Sequence, residues 1–312
     1  MRHAINSKSQ IMLTLALTLL VTPCHAIYKG FAKGESLIIS QDLKTLIETH
    51  QGDLLIVAVA EKDVYRAGHI PGAQQAWRDD YGAIKGMDYP YAGMIARKTD
   101  FRAFARILGV NDETTVVVYD HKFDATRLWW AFYLYGKVDV RVLDGGFHAW
   151  KAAGFPIETN SPPSRRTGKF SGRDPLTYWS VDADYIKQGA RQQKIQLWDT
   201  RDQNEWLGQV VQAGATRKGH IPNAKSLIWN SVHTATGEFA TATQLTELIR
   251  SYNLDKGKDQ VFYCHAGIRS TQVIFALFLL GWPVEKLHNF DGAWIAWTHN
   301  KDNPVVCEAC GR

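Results

Sequence analysis

The chain has 312 residues, of which 45% are hydrophobic and 11 are tryptophan, and its formal net charge is +5. This length and apolar content are enough for two ordinary domains with buried cores, and they argue against an intrinsically disordered chain. The small charge, without any basic run that carries interleaved aromatic residues, argues against a nucleic-acid partner.

The first segment, residues 1–26, has the pattern of a cleaved secretory signal. Arg2 and Lys8 precede an apolar run over residues 11–21, and a short polar stretch then leads to Ala26. The run is shorter than the ~20 residues that a membrane span needs, and no later stretch reaches that length. We therefore expect cleavage after Ala26 and a periplasmic or secreted protein without a stable membrane span; a retained signal anchor is the alternative.

After this segment, short apolar strand-like runs alternate with helix-like segments. The first half shows a strand at Leu54–Val59 and a helix at 99–108, and the second half shows a strand at 195–198 and a helix at 243–251. Such alternation is typical of βαβ units. The sequence therefore predicts an α/β fold in which helices cover a mostly parallel sheet.

Three sequence elements occur twice and in the same order, which indicates a duplicated domain. The pairs are Gly-His-Ile-Pro at 68–71 and 219–222, Val-Val-Tyr-Asp at 117–120 and Val-Phe-Tyr-Cys at 261–264, and Asp-Gly-Gly…Trp at 144–150 and Asp-Gly-Ala…Trp at 291–297. We assign the two copies to residues 27–160 and 169–306. Residues 161–168, which are polar and rich in turn formers, are predicted to be the linker.

The two copies differ at one position that matters for chemistry. The first copy has Asp120 where the second has Cys264, and its following loop, residues 121–127, has no glycine. The first copy therefore cannot form a thiolate there. We expect it to be a non-catalytic partner that helps to shape a site in the second copy, because ligand pockets often form between domains.

Cys264 begins a short loop, Cys-His-Ala-Gly-Ile-Arg-Ser, between strand-like residues 260–263 and helix-like residues 273–280. The free N–H groups and the positive end of the helix favour an anion at this point. Gly267 allows a turn without a side chain inside it, and Arg269 adds planar donors that suit an oxyanion. The loop predicts a nucleophilic thiolate at Cys264; the alternative is an ordinary buried cysteine.

Three cysteines remain once Cys24 is removed with the signal, so one thiol must stay unpaired. Cys307 and Cys310 lie in the tail, residues 307–312, and we expect them to form a disulfide there that leaves Cys264 free. A dithiol that relays sulfur or electrons to Cys264 is the alternative. A zinc site is disfavoured because structural zinc needs four ligands, so we predict no metal, and no motif indicates an organic cofactor.

Taken together, the three repeated elements and the cysteine loop resemble the tandem-domain rhodaneses, which are thiosulfate or mercaptopyruvate sulfurtransferases with an inactive first domain. The predicted signal further suggests an exported bacterial type. The resemblance implies that Cys264 takes up a sulfane sulfur as a persulfide and passes it to a thiophilic acceptor. The acceptor would be a thiol, a dithiol, cyanide or a partner protein, and the donor a small sulfur anion.

The resemblance also implies roles for the residues around Cys264. Arg201 would be a substrate-binding arginine, although a surface salt bridge with Asp202 or Glu205 is an alternative for it. Asp199 and His220 are expected to support the site through hydrogen bonds, and a protonated His265 could donate to the substrate anion. The predicted substrate-binding loop consists of His265, Ala266, Gly267, Ile268, Arg269 and Ser270.

The loop matches neither subtype of the family fully. Thiosulfate enzymes typically have Arg and Lys where this chain has His265 and Ala266, while mercaptopyruvate enzymes have Gly and a second arginine where it has His265 and Leu207. We therefore expect thiosulfate as donor, with mercaptopyruvate or a protein persulfide open, and a noncatalytic persulfide carrier also open. A cysteine phosphatase or arsenate reductase is disfavoured, because only four residues separate Cys264 from Arg269.

Overall fold

The computed structural model describes residues 28–49 and 52–311. The predicted signal over residues 1–26, with its expected cleavage site, lies outside the described residues. Within the described part, no helix combines the length and apolar character that crossing a bilayer requires. The exact domain boundaries stay predictions, although residues 161–168 form neither helix nor strand.

The first half folds into a five-stranded sheet whose strand pairs are all parallel, in the order β1-β5-β4-β2-β3. Its strands are β1 (Leu37–Ile38), β2 (Leu54–Val59), β3 (Gln74–Ala76), β4 (Thr115–Asp120) and β5 (Val140–Leu143). Its helices are α1 (Ser40–Thr49), α2 (Lys62–Ala67), α3 (Arg78–Tyr81), α4 (Lys98–Ile107), α5 (Ala125–Leu134) and α6 (Gly146–Ala152). The β-branched runs of β2 and β4 suit a sheet that is covered on both faces.

The second half repeats this architecture, with a parallel sheet in the order β6-β10-β9-β7-β8. Its strands are β6 (Ser180–Val181), β7 (Ile195–Asp199), β8 (Lys225–Ser226), β9 (Asp259–Tyr263) and β10 (Leu287–Phe290). Its helices are α7 (Ala183–Arg191), α8 (Gln203–Trp206), α9 (Ala242–Tyr252), α10 (Ser270–Leu279) and α11 (Ala293–His299). The predicted α/β fold with two helix-covered parallel sheets is confirmed.

The Gly-His-Ile-Pro elements have the same structural task in both domains. Ile70 N donates to the Tyr119 hydroxyl at 3.0 Å, and Ile221 N donates to the Tyr263 hydroxyl at 3.1 Å. His220 Nδ1 lies 3.0 Å from the Trp206 carbonyl oxygen, and its ring stacks on the Trp206 ring. Because a carbonyl only accepts, Nδ1 carries the proton. His220 thus supports the fold next to the central strand.

The two domains share one hydrophobic core, which is centred on α5 and α10. Every residue of α10 is buried. The Trp129 ring on α5 packs against Phe275 and Phe278, with ring centroids 4.6 Å and 4.9 Å apart. A helix that is apolar all round must be covered on all sides, here by its own sheet and by the other domain. This explains why the sequence of α10 has no polar face.

The aspartates of the third repeated element connect the domains reciprocally. Asp144 Oδ1 in the first domain accepts from Phe239 N in the second at 2.8 Å, and Asp291 Oδ2 in the second accepts from Ile95 N in the first at 2.8 Å. Lys29 Nζ adds a second link, since it donates to Asp144 Oδ2 at 2.6 Å and to the Phe239 carbonyl at 2.8 Å. Each domain therefore completes hydrogen bonding in the other.

The tail is held against the region after α8. Cys307 and Cys310 form a disulfide, and Cys264 is the free cysteine among the described residues. Ala309 N donates to the Leu207 carbonyl at 3.0 Å. Gly208 lies so close to the Cys307 sulfur that a side chain would not fit there. The disulfide thus fixes the tail at the edge of the second domain.

Candidate active site

The Cys264 loop, residues 264–269, connects the carboxyl end of central strand β9 with the N-terminus of α10. Its Cys264 residue is only 1% exposed. The carbonyls of Cys264 and His265 accept hydrogen bonds from Trp294 N and Ile295 N, both at 3.1 Å, which fix the loop on α11. In parallel α/β sheets this edge is the usual place for a ligand site.

The backbone N–H groups of residues 265–270 donate no hydrogen bond to a described acceptor. The first domain shows what such amides do in this fold. There, Lys122 N and Ala125 N donate to the Asp120 carboxylate at 3.1 Å and 2.5 Å. Two amides of this loop therefore point at the side chain of its first residue. In the second domain the amides of the Cys264 loop have no described acceptor.

The Asp120 carboxyl should make protein stability depend on pH. Burial raises the pKa of Asp120 to about 7, against the opposing effect of the amide bonds. The folded state thus holds this proton more tightly than the unfolded state, so the contribution is present below the ordinary pKa of 3.8 and is lost as pH rises through about 7. Between about pH 5 and about pH 8, the free energy of unfolding should fall by about 2 kcal/mol more for the wild type than for Asp120→Asn.

Urea denaturation of both proteins across this pH range measures the difference. The comparison uses the slope against pH, so a constant stability change in the variant does not affect it. Equal slopes would show that Asp120 does not titrate differently in the folded state.

Ser270 and Asn289 support the Cys264 loop from below. The Ser270 hydroxyl lies 3.8 Å from the Cys264 sulfur, but it donates its one proton to Asn289 Oδ1 at 2.7 Å. Asn289 Nδ2 donates in turn to the Gly267 carbonyl at 3.0 Å. Ser270, a predicted substrate-binding residue, therefore orients the loop through Asn289. The sequence reasoning missed Asn289, which lies on β10.

Arg269 is held beside Cys264 by two carboxylates. Its Nη1 donates to Glu205 at 2.7 Å and to Asp202 at 3.1 Å, and its Nη2 donates to Glu205 at 3.0 Å. Burial opposes its charge, but the hydrogen bonds to Glu205 and the charge of Cys264 together raise the pKa of Arg269. Arg269 is therefore a fixed cation at the mouth of the loop.

Arg201 lies in the protein interior, where it does not line the cavity at Cys264. Its side chain is 2% exposed, and its Nη2 donates to Asp199 at 2.6 Å and to the Gly219 carbonyl at 2.7 Å. The alternative of a surface salt bridge with Asp202 or Glu205 is wrong, because Arg201 is buried and pairs with Asp199. The geometry gives Arg201 and Asp199 a structural task, so it does not support substrate binding by Arg201.

His265 lies at the side of the cavity and is neutral. Its Nε2 lies 2.9 Å from the Ala213 carbonyl, which can only accept, so Nε2 carries the proton. Burial lowers the pKa of His265, although the bond to Ala213 opposes the change. Its Nδ1 is buried without a partner among the described residues. A neutral ring with an acceptor at Nδ1 does not supply the cationic donor that the sequence suggested.

Cys264 faces a cavity of about 290 Å³ between the two domains. Both domains contribute to its lining, which consists of Arg78, Phe123, Asp202, Gln212, Trp229, Cys264, His265, Ala266, Ile268 and Arg269. Predicted loop members His265, Ala266, Ile268 and Arg269 are thus brought together. Gly267 and Ser270 do not line the cavity. The expected site between domains is present, with Phe123 and Trp229 as an aromatic wall whose ring centroids are 5.0 Å apart.

Arg78 brings a second cation to the cavity from the first domain. Its Nε donates to Asp124 at 2.7 Å, while its Nη1 and Nη2 make no hydrogen bond with a described residue. Burial opposes its charge, but Asp124 outweighs this effect and raises the pKa of Arg78. The internal repeat could have indicated this position, because Arg78 and Trp229 each lie nine residues after the histidine of their Gly-His-Ile-Pro element. Equivalent positions in the two domains thus face one cavity.

Comparison with known proteins shows which family the chain resembles. The model of the Rhodanese-like domain matches residues 40–153 and 182–300. A protein named sulfur carrier protein TtuD from Thermus thermophilus is 31% identical, over 89% of this chain and 98% of its own. Relatives named thiosulfate sulfurtransferase from Gallus gallus and 3-mercaptopyruvate sulfurtransferase from Rattus norvegicus are 27% and 29% identical, over 75% and 73% of this chain and 80% and 76% of their own.

A solved structure shows the same fold. It is that of an anaerobic ergothioneine biosynthesis enzyme from Chlorobium limicola, which aligns with a TM-score of 0.78 and 21% identity. The alignment covers 89% of this chain and 71% of the other. At this identity the likeness supports the architecture of both domains.

Proposed function

The chain belongs to the rhodanese-like family and its named relatives are sulfurtransferases and a sulfur carrier, and from this premise we propose that it transfers the sulfane sulfur of thiosulfate through a persulfide on Cys264. One observation carries the proposal. The free cysteine lines a cavity that is also lined by Arg78 and Arg269, and the amides of its loop have no described acceptor.

The reaction needs a nucleophile and a stabilised leaving group. The Cys264 thiolate attacks the outer sulfur of thiosulfate, the S–S bond of the donor breaks, and its electron pair leaves with sulfite. Cys264 then carries a persulfide. A thiol or cyanide attacks the outer persulfide sulfur, the new S–S bond breaks, and the Cys264 thiolate is regenerated. The loop amides suit the negative sulfur in both steps, and the two arginines suit the departing sulfite.

The charges around the cavity limit the choice of donor. Arg269 is shared by Asp202 and Glu205, so it attracts a further anion weakly. Arg78 has one carboxylate partner and two uncommitted nitrogens, which makes it the better contact for a sulfonate or carboxylate group. The cavity also exceeds the size of an inorganic anion. Thiosulfate remains our proposed donor, and 3-mercaptopyruvate is the alternative that the relatives support.

A sulfur carrier is a second candidate, because this chain aligns with 98% of the length of the relative named sulfur carrier protein from Thermus thermophilus. A carrier and an enzyme need the same reactive cysteine. They differ in turnover, since an enzyme releases many equivalents of product with a small donor and acceptor, while a carrier stops after one equivalent. Steady-state assays with thiosulfate and cyanide separate the two functions.

We also propose that the protein works outside the cytoplasm. The signal-like pattern at residues 1–26 and the disulfide between Cys307 and Cys310 support this location, because disulfides persist in oxidising compartments. Cell fractionation of the native host, with an antibody against the protein, tests the proposal. Recovery in the cytoplasmic fraction would contradict it.

The persulfide itself is the first result to test. The purified protein should gain the mass of one sulfur atom after incubation with thiosulfate without reductant, and sulfite should appear in equal amount. Cys264→Ser should gain no mass. Intact mass spectrometry and a sulfite assay measure both products. If the wild type gains no sulfur from thiosulfate but gains it from 3-mercaptopyruvate, the proposed donor is wrong and the persulfide mechanism stands.

Arg78 should govern the binding of the donor. Arg78→Met should raise the KM for thiosulfate about tenfold with a smaller change in kcat, because a hydrogen-bonded charge contact to the donor is lost. Arg66→Met is the matched control, since Arg66 is an exposed arginine of the same domain that does not line the cavity. Initial-rate kinetics measure the effect. An unchanged KM in Arg78→Met would show that Arg78 does not bind the donor.

A further inference from the structure

Arg127 of the first domain reaches the Cys264 loop of the second. Its Nη1 donates to the Gly267 carbonyl at 3.1 Å, and its Nη2 donates to the Gly93 carbonyl at 3.0 Å. The same Nη2 lies 2.5 Å from Asp291 Oδ1, and the side chains of Arg127 and Asp291 are 3% and 1% exposed. The guanidinium also lies over the Trp130 ring at 4.6 Å. A buried guanidinium of the first domain thus donates to one peptide group of the Cys264 loop.

That peptide group decides the direction of a loop amide. The Gly267 carbonyl accepts from Arg127 on one element and from Asn289 Nδ2 on another. In a planar trans peptide the C=O and the following N–H point in opposite directions. The two donors therefore hold the Ile268 N–H on the far side of the loop from Arg127. This N–H has no described acceptor, and Ile268 lines the cavity of Cys264.

We propose that Arg127 is a positioning residue for the nucleophile: by holding the Gly267 carbonyl, it directs the Ile268 N–H to the sulfur of Cys264. The inference rests on the proposed function, since it concerns the same cysteine. It assigns the domain without a cysteine a direct part in preparing the thiolate. Arg127 does not line the cavity, so its effect passes through the loop rather than through contact with substrate.

The pseudo-symmetric contact in the other direction supports this assignment. Gln272 of the second domain donates to the Phe123 carbonyl in the Asp120 loop at 2.9 Å. This bond matches the one from Arg127 to Gly267, but its donor is neutral. Charge-assisted hydrogen bonds are roughly twice as strong as neutral ones. The charged donor is therefore placed at the loop that has the cysteine, and the neutral donor at the loop that has none.

Lys29 provides a matched control. It also bridges the domains as a mostly buried cation, because its Nζ binds the carboxylate of Asp144 and the carbonyl of Phe239. It does not contact the Cys264 loop. Lys29→Gln should therefore weaken the domain interface in a comparable way without changing the nucleophile.

The experiment measures alkylation of Cys264 by iodoacetamide as a function of pH in the full-length protein. For Arg127→Lys and Arg127→Gln, we expect alkylation at neutral pH to slow by at least about fivefold and the pH profile to move to higher pH, because the thiolate loses a donor. Turnover with thiosulfate should show a lower kcat and a KM within about twofold of the wild type. Lys29→Gln should match the wild type in the alkylation profile.

Each outcome of the experiment supports or contradicts the proposed role of Arg127. Arg127→Lys keeps a cation for Asp291, so it reports on the loop even if Arg127→Gln fails to fold. An unchanged alkylation profile in folded Arg127→Lys would overturn the proposal, and so would an equal shift in Lys29→Gln. Alkylation needs no sulfur donor. A shifted profile in a protein that does not use thiosulfate would therefore reject the proposed donor and retain the role of Arg127.

Discussion

Replacing Cys264 by serine should lower turnover with thiosulfate and cyanide at least about a thousandfold, the order of loss expected when a covalent nucleophile is removed. A serine hydroxyl is nearly the same size, so the buried packing around the side chain is preserved. A hydroxyl is a much weaker acid than a thiol, so the serine does not supply an anionic nucleophile at neutral pH. Initial rates of thiocyanate formation measure the loss.

The other two described cysteines supply the control for this prediction. The double variant Cys307→Ser/Cys310→Ser removes the tail disulfide and leaves Cys264 untouched. It should retain turnover within a few-fold of the wild type, while its thermal stability decreases. Substantial turnover in Cys264→Ser, or its loss in the double variant, would place the transferred sulfur on the tail instead.

Gly267→Ala should be the most damaging change of a residue that does no chemistry. Gly267 has φ +70°, and an added Cβ would lie 2.6 Å from the Asp291 carbonyl oxygen. The loop must shift to relieve this overlap, so its amides move away from the sulfur. We expect a loss of about 2–4 kcal/mol in the free energy of unfolding and of about a hundredfold in kcat/KM. Urea denaturation and initial-rate kinetics measure the two effects.

Gly72→Ala separates the two causes of this loss. Gly72 has nearly the same backbone angle, φ +75°, but an added Cβ would meet nothing within 4 Å. This control carries only the strain of the left-handed conformation, about 1 kcal/mol. Equal stability losses in both variants would show that the overlap with Asp291 adds nothing to the cost of the left-handed conformation, which would contradict the prediction.

Much of the fold could be predicted because its signals are local. Leu54–Val59 is a strand with the predicted bounds, since a short β-branched run is typical of a buried strand. The apolar run after Cys264 becomes α10, which begins at Ser270, three residues earlier than the run itself. The earlier start reflects polar side chains in the first turn that are buried between the domains. Periodicity does not indicate such burial.

The cysteine and its own loop could be recognised, but the groups that other elements bring to the loop were missed. Arg78, Arg127 and Asn289 reach the site from separate elements, and no local pattern states that they meet Cys264. Arg201 shows the opposite case, a residue predicted for the site that does not line the cavity. It follows a strand end near the site in sequence, yet its side chain turns inward to Asp199. The direction of a side chain depends on long-range packing that a single sequence does not display.

The apolar contact between α5 and α10 has a consequence for the gene. A shortened gene that encoded only the second half would keep the codon for Cys264, but its product would expose helix α10 to water along the side that Trp129 covers. It would also lose Arg78 and Arg127. We expect such a product to aggregate through its exposed apolar surface rather than to retain reduced activity. The second copy therefore depends on the copy without a cysteine, and deletion of that copy would abolish function rather than simplify the protein.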